Sequence, residues 1–394
     1  MKTIINKILQ KNKKRAIGLM SGTSADGIDA VIIEIIGKGI FTKYRQIAFS
    51  TYPYPEGFKE LLLKNSDVKS ARLDMIARLN ILVGIFFAEA AKKVTRQAGL
   101  SFNDIDFIGS HGQTIGHFPV SQMLYNKKIR TTLQIGHPSV IAKITGKITI
   151  GDFRIADIAV GGTGAPLVPL FDFLTFRSKS KNRLILNIGG ISNITSLPKG
   201  CDIKSVLAFD TGPGNMLIDS LMMHFYKKPY DENGKIASKG KIIPALLNFL
   251  MKNKYFQIKP PKSTGREIFG QDFVKKILNL SKGNLKEDII ATVSEFTPLS
   301  IYEGYRRFIK PKMIADELFI SGGGTHNSYI LEALKRYFEK TRVMVTDEYN
   351  ISSDAKEAIC FALLANETLH GHCGNLPGAT GAKRETILGT ISLP

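Results

Sequence analysis

The sequence has no tryptophan, only three cysteines and no long apolar run, and each shortage removes a class of protein. Cys201, Cys360 and Cys373 lie far apart with no C-x-x-C pair, so they make neither a disulfide framework nor a zinc site. The longest apolar stretch, Ile81 to Ala91, already contains Gly84 and Glu89. It falls well short of the roughly 20 residues that a membrane helix needs. Acidic side chains are also in deficit, 34 against 54 basic ones, which leaves a net charge of +20. The basic residues are mostly lysines in scattered groups, such as Lys127/Lys128/Arg130 and Arg306/Arg307/Lys310/Lys312. They lack the aromatic platforms or groove-reading helix of a nucleic-acid binder and read as a solvated surface. Such a field also draws in an acidic small substrate. With 43% apolar and 22% charged residues the chain has ample core material, and 394 residues predict two or three domains. The expectation is a cytoplasmic protein that engages small molecules, with no nucleic acid and no membrane among its partners.

What is present is a strand–glycine turn–strand unit that occurs twice. Residues 16–35 run AIGLMSGTSADGIDAVIIEI, and residues 183–197 run RLILNIGGISNITSL. Glycine at such turns permits close backbone approach, and the neighbouring Ser, Thr and Asn side chains can hydrogen-bond a ligand. One copy is unremarkable; one per half of the chain points to two similar domains. A third cluster, LFISGGGTHNSYILEAL at 318–334, reads as a strand, Gly322-Gly323-Gly324, and a helix starting near Thr325 to Asn327. The amides at such a helix start suit a phosphate or nucleotide. Periodicity predicts a long helix at 70–98, strands at 105–109 and 131–135, and helices at 138–144, 213–226, 241–252, 286–309 and 355–370. The domain limits follow: a flexible basic extension at 1–15, an N-terminal domain at 16–145, an interdomain segment at 146–182 and a C-terminal domain at 183–394. The class is α/β with mixed sheets.

Two phosphate-type hairpins followed by a strand–GGG–helix unit resemble the actin- and hexokinase-like ATPase superfamily. The likeness implies two related ribonuclease H-like domains, with mixed β-sheets flanked by helices, around a central nucleotide and sugar cleft. The match narrows further. GLMSGTSADGID (18–29), GSHGQTIGH (109–117), LQIGHPSVIA (133–142), GDFRIADIAVGGTGAPLVP (151–169), FDTGPGNMLID (209–219), PKSTGRE (261–267) and GNLPGATGA (374–382) resemble the anhydro-N-acetylmuramic acid kinase family. That resemblance runs from about Arg15 to Leu393. It implies conversion of 1,6-anhydro-N-acetylmuramic acid, ATP and water to N-acetylmuramic acid 6-phosphate and ADP, with Mg2+, in a bacterial homodimer that recycles peptidoglycan.

The resemblance also implies residue roles. Asp210 is the general base that activates water; the plainer reading, from sequence alone, is an N-cap of the helix that follows Pro213. Gly22, Thr23, Ser24, Ala25, Asp26, Gly27, Ile28 and Asp29 form the first phosphate loop. Gly189, Gly190 and Asn193 serve the second, joined by Gly212, Gly214 and Asn215, and Gly322, Gly323, Gly324 and Asn327 meet the adenosine. Ser21, His111, Gln113, Thr114, Asp152, Arg154, Gly164 and Glu295 are the sugar-side candidates. Arg154 suits a carboxylate or phosphate, since a guanidinium binds either bidentately. The plainer readings are an Asp152–Arg154 brace, a buried structural His111 and a solvated Glu295. Lys262, Ser263, Thr264 and Arg266 touch phosphates or merely brace a loop, and rank last. The superfamily's first-strand Asp is Met20 here, which leaves the metal ligands unassigned. An ordinary hydroxyl-directed sugar kinase and an assembly or chaperone ATPase of the same fold are the alternatives.

Overall fold

The computed structural model describes residues 2–346 and 354–394. These form two units, one of residues 1–175 with 354–394 and one of residues 176–353. Among the described residues no helix is long and apolar enough to cross a membrane.

The first unit is built on a seven-stranded sheet. β1 (Lys13–Ser21), β2 (Gly27–Ile36) and β3 (Lys43–Pro53) form an antiparallel meander. β4 (Phe107–Leu124) runs parallel to β1, and β6 (Ile148–Gly151) runs parallel to β4. β5 (Lys127–Ile135) pairs with the outer half of β4, and β12 (Thr390–Ser392) closes the edge beside β6. The spatial order is therefore β3-β2-β1-β4-β6-β12. Tyr125 and Asn126 both take positive φ, the conformation that a two-residue turn between β4 and β5 requires. The hairpin is longer than the short strands expected at 105–109 and 131–135.

Ala30 to Ile33 on β2 and Ile17 and Leu19 on β1 are fully buried, because both faces of the sheet are covered. Ile17, Leu19 and Ile32 pack with Leu79, Val83, Phe87 and Val94 of the helix Leu73–Gln97. The other face receives the helix Lys356–Leu369, which lies on β1, β2 and β4. That contact is backbone to backbone. A Cβ on Gly18 would stand 1.9 Å from the Ala358 carbonyl oxygen, and one on Gly109 would stand 2.1 Å from that of Phe361.

Three expectations change here. Residues 13–15 are not a flexible extension: they open β1, and Lys11 and Arg15 are anchored on Asp106 by bonds of 2.5 and 2.8 Å. The helix Lys2–Leu9 precedes them, while Met1 lies outside the described residues. The segment 146–182 is no linker as a whole, since β6 supplies a strand of the first sheet. Residues 354–394 leave the expected C-terminal domain and complete the first unit, because their helix covers the sheet's second face and β12 pairs with β6.

The second unit carries a five-stranded sheet. β7 (Arg183–Ile188), β8 (Ile191–Leu197) and β9 (Leu207–Pro213) are antiparallel. β10 (Glu317–Ser321) is parallel to β7, and β11 (Arg342–Val345) is parallel to β10. The order β9-β8-β7-β10-β11 repeats that of the first five sequential positions in the other sheet, with the same directions. Two related ribonuclease H-like sheets are thus present, as the paired glycine hairpins imply. Leu184, Leu186 and Ile188 pack with Phe209 and with Ile290, Val293 and Phe296 of the helix Lys286–Phe308.

Gly109→Ala should lower the thermal unfolding midpoint by several degrees, a loss of about 1–3 kcal/mol or more, since the added methyl meets a carbonyl that cannot retreat without moving a helix. Unchanged calorimetric unfolding would contradict this packing.

Candidate active site

In the second unit the sheet register sets a polar row across an apolar surface. Ser321, Asn187, Asn193 and Asp210 are successive cross-strand partners on β10, β7, β8 and β9. Partners directly opposite share a face, so these four side chains stand side by side. Asn193, expected at the phosphate turn, is thereby the direct neighbour of Asp210. Asn187 and Ser321 escape sequence reading, because only strand pairing brings them into the row.

Asp210 is held by a loop distant in sequence. Its amide donates to the Lys262 carbonyl at 3.1 Å, and the Thr264 amide donates to its Oδ2 at 2.9 Å. The Tyr255 hydroxyl donates to its carbonyl oxygen at 2.6 Å. Burial raises the carboxyl's pKa to about 7; the Thr264 amide and Lys262 oppose the rise, while Glu267 adds to it. The PKSTGRE segment, ranked last from sequence, is therefore the one that frames Asp210. The alternative of Asp210 as an N-cap is not realised: it lies within β9, and Asn215 precedes the helix Met216–Tyr226.

Next to the row lies a cradle of glycine backbone. Gly189 and Gly190 form the β7–β8 turn, and their carbonyls accept from the amides of Asn215 and Gly214, each at 2.8 Å. A Cβ on Gly214 would sit 2.3 Å from the Gly189 oxygen, and one on Gly324 would sit 2.4 Å from Ile188 Cγ2. Gly322 takes φ +87° against Ile188, where only glycine is unstrained. Gly212 instead packs on the Phe256 ring. A cavity of about 770 Å³ opens beside the cradle, lined by Asn215, Asp219, Tyr230, Gly323, His326 and Asn327 among others. Its size suits a nucleotide. Asp219, not anticipated from sequence, faces it with a pKa raised to about 6 by burial. Glu295 is elsewhere: its carboxylate accepts from Arg336 at 3.0 Å and from the Tyr337 hydroxyl at 2.7 Å, so it ties two helices together.

The first unit has its own glycine turn between β1 and β2. Gly22 is open around its Cα, whereas Ala25 takes φ +54° and is buried, as is Ile28. What this loop can offer a ligand is therefore backbone amides with the Thr23 and Ser24 hydroxyls. Gln113 braces it, donating to the Gly22 carbonyl at 3.0 Å and accepting from Ser21 at 2.5 Å. Gly27 sits close against the Tyr52 carbonyl. Asp26 pairs with Lys59, and Asp29 accepts from Thr51 at 2.6 Å. Thr114 accepts from Gln134 at 3.1 Å.

Near β6 the buried Arg154 guanidinium donates from Nε to His111 Nε2 at 3.0 Å and from Nη1 to the Gly164 carbonyl at 3.4 Å. Burial, then the Arg154 charge, drive His111 well below its ordinary pKa, so the imidazole is a neutral acceptor. Burial also lowers Arg154 to about 10, with Glu357 opposing, which leaves it charged. No Asp152–Arg154 brace forms: Asp152, in a left-handed conformation, has its pKa raised by desolvation alone. Asp157 does the bracing instead, accepting from the Gly164 amide, Asn375 and Thr380. Glu357, in the first turn of the helix Lys356–Leu369, is a further carboxylate in the electrostatic reach of Arg154 that sequence reading missed. Burial raises its pKa, with Arg154 and Lys356 opposing.

A family model described as anhydro-N-acetylmuramic acid kinase matches residues 14–394. Curated relatives named anhydro-N-acetylmuramic acid kinase include one from Clostridioides difficile, 48% identical over 96% of this chain and 98% of its own length. Another from Caldanaerobacter subterraneus is 43% identical over 98% of this chain and 99% of its own. One from Bacillus cereus is 44% identical over 96% and 98% respectively.

The raised Asp210 pKa has a stability consequence with a definite sign. Between the unfolded value near 3.8 and the folded value near 7, the native state binds the extra proton, so stability falls as pH rises through that window. Asp210→Asn carries no such penalty. It should match the parent near pH 4 and exceed it by about 3–4 kcal/mol at pH 8. Denaturant unfolding at the two pH values checks this, and equal stability at both would remove the claim of an under-compensated carboxylate.

Proposed function

The chain belongs to the anhydro-N-acetylmuramic acid kinase family, and on that premise we propose that it hydrolytically opens 1,6-anhydro-N-acetylmuramic acid while phosphorylating it from ATP. It is a phosphotransferase with a role in cell-wall recycling. The proposed products are N-acetylmuramic acid 6-phosphate and ADP.

The substrate sets an unusual demand. Its O6 is tied to C1 in an ether and carries no proton, so an ordinary kinase base has nothing to remove. In the proposed reaction Asp210 takes a proton from water as the water oxygen bonds to C1. The C1–O6 bond breaks, O6 bonds to the γ-phosphorus, and the bond from that phosphorus to the β–γ bridging oxygen breaks to release ADP. The observation that carries this reading is Asp210 itself: one oxygen is held by the Thr264 amide, and burial raises the pKa to about 7, where a base works at neutral pH. The Gly189–Gly190 turn and the 770 Å³ cavity support nucleotide binding by the second unit. The Gly22–Asp29 turn supports a phosphate contact in the first. The charged Arg154, oriented by neutral His111, fits the sugar's lactyl carboxylate.

Magnesium would neutralise charge on the transferred phosphate. Among the described residues no group of three His, Cys, Asp or Glu side chains could hold a metal alone. That fits an ion ligated chiefly by phosphate oxygens and water, as magnesium prefers. Asp29 is the carboxylate suited to anchor it, since Asp26 is already paired with Lys59.

With ¹⁸O-water, MgATP and the anhydro-sugar, NMR should find label at C1 and phosphate on O6; ADP release without sugar phosphate would sink the kinase reading. Asp210→Asn should lower turnover by about 10³-fold or more while remaining folded. For the parent enzyme, kcat/KM should climb about tenfold per unit below pH 7 and level off above it, because the base must be ionised. A profile flat from pH 5 to 8 would rule out Asp210 as that base.

A further inference from the structure

Two groups on the loop beside Asp210 have no part in the reaction as written. The first is Lys262. Its Nζ lies 4.4 Å from the Tyr255 ring centroid, 4.9 Å from that of Phe308 and 5.8 Å from that of Phe209. It also donates to the Tyr255 carbonyl at 3.2 Å. Burial and the neighbouring Arg307 lower its pKa to about 8, with Asp210 opposing, so it is mainly a cation at neutral pH. A cation among aromatic faces is attracted most strongly where water is excluded. The second is the Thr264 hydroxyl, which is buried and has no hydrogen-bond partner among the described residues. A buried polar atom left unpaired is a cost that native structures seldom carry without a reason. This one belongs to the residue whose amide grips Oδ2 of Asp210, within one side chain's reach of the carboxylate.

The Lys262 carbonyl and the Thr264 amide are the two points at which the loop bonds Asp210. Both depend on how the intervening chain is held, and the caged ammonium is one of that chain's anchors. Oδ1, by contrast, accepts from no described residue. We propose that Lys262 is a positioning residue that locks this loop, and that the Thr264 hydroxyl binds the water which Oδ1 of Asp210 activates. The inference rests on Asp210 as base. It adds the device that fixes which oxygen is free and where the water sits. A water held by two groups approaches C1 along one line, which is how positioning lowers a barrier.

The test uses the full-length enzyme and steady-state kinetics with both substrates varied. Thr264→Val should lower kcat about 10–100-fold, the scale of one lost transition-state hydrogen bond. KM for sugar and for ATP should stay within about threefold, and Thr264→Ser should recover most of kcat. Lys262→Met should lower kcat and move the acidic limb of the pH profile upward, because Asp210 loses a nearby positive charge. Lys262→Arg, which keeps a cation among the rings, should reverse both effects. Wild-type kcat in Thr264→Val, or equal impairment in Thr264→Ser and Thr264→Val, overturns the role of the hydroxyl. Should Thr264→Val fold poorly, Thr264→Cys keeps the volume with a weaker donor, and full activity in it is equally decisive. An unmoved pH profile and kcat in Lys262→Met overturns the positioning role. Asp210→Asn in parallel separates the two readings. If it still turns over, the base assignment fails; if it is dead beside a fully active Thr264→Val, only the present inference does.

Discussion

A carboxylate withdrawn from water and only partly compensated is the constraint on which the second unit depends. Asp210 is placed by strand register beside Asn193, with Asn187 next in the row, and both are neutral. Among the described residues its carboxylate accepts one hydrogen bond, from a backbone amide, and the nearby cation Lys262 is itself drawn into an aromatic cage. Had an arginine stood at Asn193, the pKa would fall by 1–3 units or so and the group would be a poor base. The surroundings supply enough hydrogen bonding to keep the side chain in place and too little charge to stabilise its ionised form fully. That balance costs stability above the carboxyl's ordinary pKa, a cost typical of working sites.

The first unit treats charge differently although its sheet has the same strand order. There a guanidinium is the buried ion, and its orientation is set by an imidazole kept neutral by that same burial. Histidine is suited to the task because one ring nitrogen can accept from Arg154 while the other donates to the Gly112 carbonyl at 3.0 Å. A cation aimed by a neutral acceptor keeps its full charge for a ligand. The same frame therefore carries a guanidinium cation in one unit and a carboxyl of raised pKa in the other.

Much of this was legible in the sequence, and the limits are physical. The two glycine hairpins and the strand–GGG–helix unit are local patterns, and their elements fall where expected, as does the helix Leu73–Gln97. The glycines at 189, 190, 214 and 322–324 come together because short turns fix them. What escaped was long-range. Cross-strand register decides that Asn187 and Ser321 join Asp210, and no window of sequence reports register. Lys262 looked like an ordinary loop residue because the aromatic rings that hold it lie elsewhere in the chain. Glu295 and Gln113 looked available for a ligand, yet each has intramolecular partners that only the fold reveals. The assignment of residues 354–394 to the wrong domain has the same origin, since reading in order favours contiguous domains.

The return of the chain to its first sheet bears on how the protein is made. The second unit is an uninterrupted stretch, residues 176–353, and holds all five of its own strands. The first is split: its sheet is nearly complete by residue 151, but the face bearing Gly18 and Gly109 awaits the helix Lys356–Leu369. At synthesis rates of about 5–20 residues per second, some 10–40 seconds separate the two. Through that interval the unit translated first stays open on one side, while the unit translated second has everything it needs to close. Vectorial synthesis thus inverts the order in which the two cores are finished.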